Sequence, residues 1–311
     1  MIKYFFKKLI ISFISLFVVM SATFFLMKAI PGDPFLSHQN MPREILKSLY
    51  THYGLDKPLY IQYLKYIKGF FTFDFGPSLI FESRSVNQII KDGFYVTFVL
   101  GLEALFISLF FGITLGSIAA LKKNKIQDSL IMIFAIIGIS IPNFLFASLL
   151  QYIFAMKLSI FPIARFSSFM HSILPAVSLA SLPTAYIARL TRSSMIEVLQ
   201  SDYIKTAISK GLSTFDVVFK HALKNAILPV IAYLGPITAH LLTGSFIIEK
   251  IFSVPGIGSY LVTSIASRDY TVIMGLTVFF SFVLITIMFF IDIIYRLIDP
   301  RIEKAYERNE F

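Results

Sequence analysis

Long apolar runs separated by short polar, basic stretches dominate the pattern of this chain. A membrane-spanning helix needs about 20 mostly apolar residues, within a range of about 17–25. Six segments reach that length, near 9–30, 94–121, 129–156, 172–188, 226–248 and 271–295. The second and third exceed a bilayer's width and predict tilted or extended helices. Pro175 and Pro183 interrupt the fourth, which still reads as a span because neighbouring helices can satisfy backbone groups that proline frees. The prediction is an all-α membrane protein with six transmembrane helices.

Lys and Arg set the orientation. With the N-terminus inside, the inside segments hold 16 of the 28 basic residues, including Lys3, Lys7, Lys8, Lys122, Lys123 and Lys125. Most of the others fall in the 31–93 loop, whose length gives it little weight in the positive-inside rule. Both termini are therefore expected in the cytoplasm. The first apolar run exceeds a secretory signal core and lacks a convincing cleavage site, so it reads as an uncleaved span.

The organisation that follows is a tail and first span (1–30), an outside loop (31–93), a five-span core (94–298) and a cytoplasmic tail (299–311). The loop at 31–93 is too long for a plain connection. Pro42 to Tyr50 and Leu59 to Phe70 predict short amphipathic helices there. They fit a surface cap, a docking surface or a cover over a pore, and the residues leave these open.

The polar segment 201–229, between the fourth and fifth spans, predicts two short helices on the cytoplasmic side. Asp202 is the expected N-cap of the first, over Tyr203 to Lys210, with Gly211 as its stop. Ser213 and Asp216 have capping-box spacing and open the second, which runs to about Lys224. Phe215, Val218, Phe219 and Ala222 would form its apolar stripe. Two readings remain: an interfacial hairpin without a partner, or a surface that touches one.

Composition supports lipid as solvent: 56% of residues are hydrophobic and only 15% charged. There is no Trp, so an interfacial aromatic belt would come from Tyr4, Tyr152, Tyr186 and Tyr295. The absence of Cys excludes disulfides and thiolate chemistry. A net charge of +10 fits topology and anionic headgroups better than nucleic acid. Within the spans, Glu103 either faces a translocation path or pairs with a basic group or hydroxyl on a neighbouring helix. Gly112 and Gly116 permit close helix approach. Lys28 is expected to snorkel to the outer interface, and Asp292 to pair with Arg296 one turn on.

The stretch Asp202 to Leu212, followed by Leu228-Pro229, resembles the EAA loop of ABC-importer permeases. It is most similar to the B-type permease of the dipeptide, oligopeptide and nickel family. Ala207 and Gly211 match the third and seventh motif positions, whereas Lys205 and Thr206 stand where the general motif has Glu and Ala. Pro31 to Pro34, Gly54 to Leu59, Ser140 to Phe144, Phe252 to Gly258, Arg268 to Tyr270 and Asp299 to Arg301 carry the resemblance along the chain.

The resemblance implies that 201–229 contains a coupling helix that seats on a cytoplasmic ATPase. Asp202, Tyr203, Lys205, Thr206, Ala207, Lys210 and Gly211 are the expected contact segment. It also implies a second homologous permease forming a heterodimer, two ATPase subunits, an extracytoplasmic solute-binding protein and a bacterial inner-membrane location. The chain has no G-x-x-x-x-G-K-[ST] string, so ATP and Mg are expected in partner subunits and no catalytic residue or cofactor here. Peptide is the expected cargo, with nickel or another small solute as the alternative. A self-sufficient secondary transporter would need midplane acidic or His relays, which are sparse. A membrane enzyme would need a nucleophile motif or an intramembrane polar cluster, and neither is evident.

Overall fold

A computed structural model describes residues 2–30, 43–81 and 84–298, with side chains from 5–30, 47–81 and 84–293. The strings Pro31–Pro34 and Asp299–Arg301 and the 299–311 tail lie outside the described residues. So does the side chain of Arg296, and with it the expected pairing to Asp292. The described chain is helical, and its only β feature is an isolated bridge between Pro77 and Ser85.

Five helices are long and apolar enough to cross a membrane: Phe5–Ala29, Val86–Leu121, Phe169–Leu199, Leu228–Ile251 and Tyr270–Ile293. The first belongs to α1 (Ile2–Ala29). The others are α4 (Val86–Leu121), α7 (Phe169–Leu199), α11 (Leu228–Thr243) with α12 (Phe246–Ile251), and α14 (Tyr270–Ile298). Between them lie α2 (Arg43–Tyr53), α3 (Leu59–Thr72), α5 (Ile126–Ser140), α6 (Asn143–Leu150) and α13 (Ile257–Ser267). Tyr152 and Tyr186 are exposed, as an interfacial belt requires; the side chains of Tyr4 and Tyr295 lie outside the described ones.

The third expected span is broken rather than tilted. α5 and α6, the latter extended by a π-helical stretch at Gln151–Lys157, meet at a bend of 107° and make a sixth crossing only if taken together. Pro142 causes the break. Proline lacks an N–H and disfavours helical geometry in the residue before it, and Ile141 is extended at φ −82°, ψ 122°. Pro175 and Pro183, by contrast, sit inside a continuous α7. Around them Ser178, Ser181 and Thr184 donate to carbonyls three or four residues back. α7 also outruns its expected end near 188, continuing to Leu199.

The chain packs as two units, Met1–Val96 with Pro255–Thr286, and Thr97–Val254 with Ile287–Phe311. In the first, α3 lies against α1. Tyr63 and Tyr66 pack on Phe24 at 5.2 and 5.6 Å between ring centroids, and Leu16, Met20, Phe70 and Val278 share a core. Asp269, fully buried, closes this unit. Its carboxylate accepts from the Ser78 hydroxyl, the Leu79 and Ile80 amides, and at the start of α14 the Thr271 hydroxyl and Val272 amide. Tyr53, with its hydroxyl on the Ser78 carbonyl, has its phenol pKa pushed up by burial and by the Asp269 carboxylate.

In the second unit α4 and α7 touch at Gly112 and Gly116. A Cβ on Gly116 would lie 2.5 Å from the Ala188 carbonyl and one on Gly112 2.7 Å from Ile187, so no larger residue fits without separating the helices.

Asp269→Ala would strand several buried donors at once. At about 1–3 kcal/mol for each unsatisfied group, it should lower the melting temperature of the purified protein by several degrees. An unchanged melting curve would remove Asp269 as the closing contact of this unit.

Candidate functional site: the 201–226 helical pair

The polar segment after α7 folds as two short helices over one buried core. In α8 (Asp202–Ser209) the N-cap position falls to Ser201 rather than to the expected Asp202, and the Ser201 hydroxyl donates back to Val198 O at 2.6 Å instead of capping the helix. Asp202 lies in the first turn, where its charge suits the helix N-terminus, and its Oδ1 pairs with Lys205 Nζ at 2.8 Å. The pair is exposed and contributes little to stability. α8 ends as a Schellman motif: Gly211 N–H donates to Ile208 O at 2.9 Å and Leu212 N–H to Ala207 O at 3.4 Å. Gly211 carries φ +79° with open space around it, so the glycine serves the backbone angle and not a close approach.

The second helix begins at Ser213, whose Oγ accepts from Asp216 N–H at 3.1 Å and donates to Asp216 Oδ2 at 2.6 Å. The capping interaction is present, but the acid meets the hydroxyl instead of reaching back to the Ser213 amide. Lys220 Nζ lies 2.6 Å from Asp216 Oδ1, and with the Ser213 hydroxyl holds that carboxyl below the usual carboxylate range. The helix runs through α9 (Thr214–Asp216), a π-helical stretch (Val217–Ala222) and α10 (Leu223–Ala226), then passes Ile227 into α11.

The π-helical stretch redirects the apolar face. An ordinary α-helix would align Phe215, Val218, Phe219 and Ala222, as the spacing predicts. In the wider turn Val217, Val218 and Ala222 are buried, while Phe215 and Phe219 are 67% and 56% exposed with their rings tilted against each other at 4.5 Å. Ile208 and Leu212 are exposed too.

Of the expected contact residues, Asp202, Tyr203, Lys205, Thr206, Lys210 and Gly211 lie at the surface, and Ala207 is buried. Ala207 and Ile204 pack with Val217, Val218, Ala222 and Ala226, with Met195 of α7 and with Ala120 at the end of α4. Tyr203 ties the pair together, its hydroxyl accepting from Asn225 Nδ2 at 2.8 Å. Thr206 Oγ1 donates to Asp202 O at 2.9 Å.

Glu103 is not part of this site. In α4 its Oε1 accepts from the Ser172 hydroxyl of α7 at 3.0 Å, a hydroxyl partner of the kind the sequence left open.

Two buried carboxylates in this unit escaped sequence reasoning. Asp128, in the first turn of α5, takes Arg192 of α7 in a two-pronged pair at 2.5 and 2.7 Å and also accepts from Asn124 N–H. Glu249 of α12, 1% exposed, accepts from Thr97 of α4 at 2.8 Å. The available signal was a single acid beside an apolar run, which demands a partner without naming it.

Residues 112–304 match the family described as binding-protein-dependent transport system inner membrane component, and residues 1–101 match its N-terminal counterpart. The chain belongs to this family. The dipeptide transport system permease protein DppB of Bacillus subtilis (strain 168) is 50% identical over 303 residues, covering 97% of this chain and 98% of that protein. The oligopeptide transport system permease protein OppB of Haemophilus influenzae is 40% identical over 97% of this chain and 99% of that one. A solved structure of the MetNI methionine ABC transporter in inward-facing conformations aligns with a TM-score of 0.57. It covers 68% of this chain and 97% of that one at 15% identity, a likeness of fold. The chain is thus a transport permease subunit and not an enzyme, and its family works with ATPase and substrate-binding partners.

Ala207→Leu would overfill the core beneath α8 and should cost about 1–3 kcal/mol, opening 201–226 to limited proteolysis. Ile208→Ala, one residue away but exposed, should leave the cleavage rate unchanged. Equal protection of both variants would contradict the assigned burial.

Proposed function

We propose that this chain is the permease subunit of an ATP-driven, binding-protein-dependent peptide importer, and that 201–226 is its contact with a cytoplasmic ATPase. The observation that carries the coupling role is the core shared by α8, the π-helical stretch, Met195 of α7 and Ala120 of α4. A short helix packed on the cytoplasmic ends of two long ones cannot move without them. Rigid-body motion of an ATPase pressed against α8 is therefore carried into the bilayer. The exposed Phe215, Phe219, Ile208 and Leu212 and the basic Lys205, Lys210 and Lys220 provide apolar anchors with a charged surround.

In this mechanism ATP and Mg bind in two ATPase subunits, and a second, homologous permease supplies the other half of the path. Closure of the ATPases shifts the 201–229 helices and turns the spans from inward- to outward-facing. A solute-binding protein then releases cargo into the opened cavity. Peptide is favoured as cargo because the full-length relatives above are named as dipeptide and oligopeptide permeases. Glu103 would line the path. The broken pair α5–α6 counts as one span, giving six, with both termini in the cytoplasm of a bacterial inner membrane. The Lys122–Lys125 cluster and the basic 201–226 segment on the same face support this orientation.

Gly211→Val should abolish transport and peptide-stimulated ATP hydrolysis of the assembled importer while membrane insertion persists, because a β-branched residue resists φ +79°. Gly211→Asn, which tolerates that angle, should retain most activity. Full coupling in the Val variant would sink the assignment. Reporter fusions after Lys123 and after Arg308 should both read cytoplasm; an outside signal at either overturns the six-span topology.

A further inference from the structure

Within the unit formed by Met1–Val96 and Pro255–Thr286, a cavity of about 360 Å³ lies among the last turns of α1, one stripe of α3, two adjoining turns and the start of α14. That volume is in the range of small-molecule sites. Its walls are apolar at Phe24 and Tyr66, and three lysines, Lys28, Lys65 and Lys68, line it. Among the described residues none of the three has a carboxylate within ion-pair distance. The acid of the lining, Asp74, is engaged, accepting from the Gly76 amide at 3.1 Å.

Among the described residues, three ammonium groups around one cavity lack an acceptor carrying negative charge.

The surroundings indicate its source. Lys28 is in the last turn of α1, with Nζ 5.9 Å from the Phe24 ring, where a span reaches the headgroup level. Phe25 and Leu26 beside it, and Tyr60 and Leu64 on α3, are exposed and apolar. At the headgroup level the anion at hand is a lipid phosphate, whose acyl chains can lie along that apolar surface.

We propose that this cavity binds the phosphodiester headgroup of an anionic lipid such as phosphatidylglycerol. Lys28, Lys65 and Lys68 pair with the phosphate. The acyl chains run along Phe25, Leu26 and Leu64. The leaflet is the outer one under the orientation proposed above, but the site depends on neither that orientation nor the cargo.

The test is lipid retention by the whole importer, purified from vesicles of equal parts phosphatidylglycerol and phosphatidylcholine and measured by native mass spectrometry. The wild type should keep phosphatidylglycerol selectively. Lys65→Gln with Lys68→Gln should weaken retention about 25-fold, at about fivefold per ammonium lost. Lys65→Arg with Lys68→Arg should preserve it, which separates loss of charge from misfolding. Unchanged retention in the Gln pair overturns the site, as does equal retention of both lipids by the wild type. Displacement of the lipid by millimolar inorganic phosphate would make it a soluble-anion site. A raised KM for peptide in the Gln pair in phosphatidylcholine-only vesicles would make it a cargo-carboxylate subsite. Either result rejects the lipid assignment, and none of these readouts requires the ATPase-coupling role to hold.

Discussion

An eight-residue helix such as α8 is too short to be stable in water on its own. Its persistence at a membrane surface comes from burying Ile204 and Ala207 against Val217, Val218 and Ala222, and against Met195 and Ala120 on the long helices α7 and α4. The role proposed for the 201–226 segment depends on that core. It holds the Schellman turn at Gly211 in place and makes the segment a continuation of the spans. It also leaves Phe215 and Phe219 facing outward, where a partner can cover them.

Buried carboxylates supply the directional contacts that apolar packing lacks. Asp128 fastens the start of α5 to Arg192 on α7, Glu249 meets Thr97, and Asp269 gathers the 78–80 backbone to the start of α14. Each lies at a helix end or beside a turn, where backbone groups need partners. Such contacts are costly to break, because removing one partner leaves a charge or several donors unpaired in a dry setting. They specify register, whereas the glycines of α4 set distance: Gly112 and Gly116 let α7 approach until backbone meets backbone.

The relation between α3 and α1 extends the same argument to the segment between α1 and α4. A surface cap lying on headgroups would need only one apolar face. α3 instead packs Tyr63 edge-on and Tyr66 face-on against Phe24 and also carries Lys65 and Lys68. Among the described residues those lysines have no carboxylate partner, and they give the cavity the cationic lining on which the lipid proposal rests.

The amino-acid sequence by itself determined the number of apolar runs, the sign of each flank, the two helices at 201–226 and the stop at Gly211. These follow from local physics: the length needed to cross a bilayer, the cost of charge in lipid, and the few residues that adopt positive φ. Tertiary structure decided what local rules leave degenerate. Pro142 breaks its helix, with Ile141 extended before it, while Pro175 and Pro183 are buried inside a continuous α7. Phe215 and Phe219 turn outward because a π-helical stretch, stabilised by the core beneath it, overrides the 3.6-residue period. Asp128 finds Arg192 64 residues away. Sequence shows that a buried acid needs a partner, but only the packing of helices shows which one.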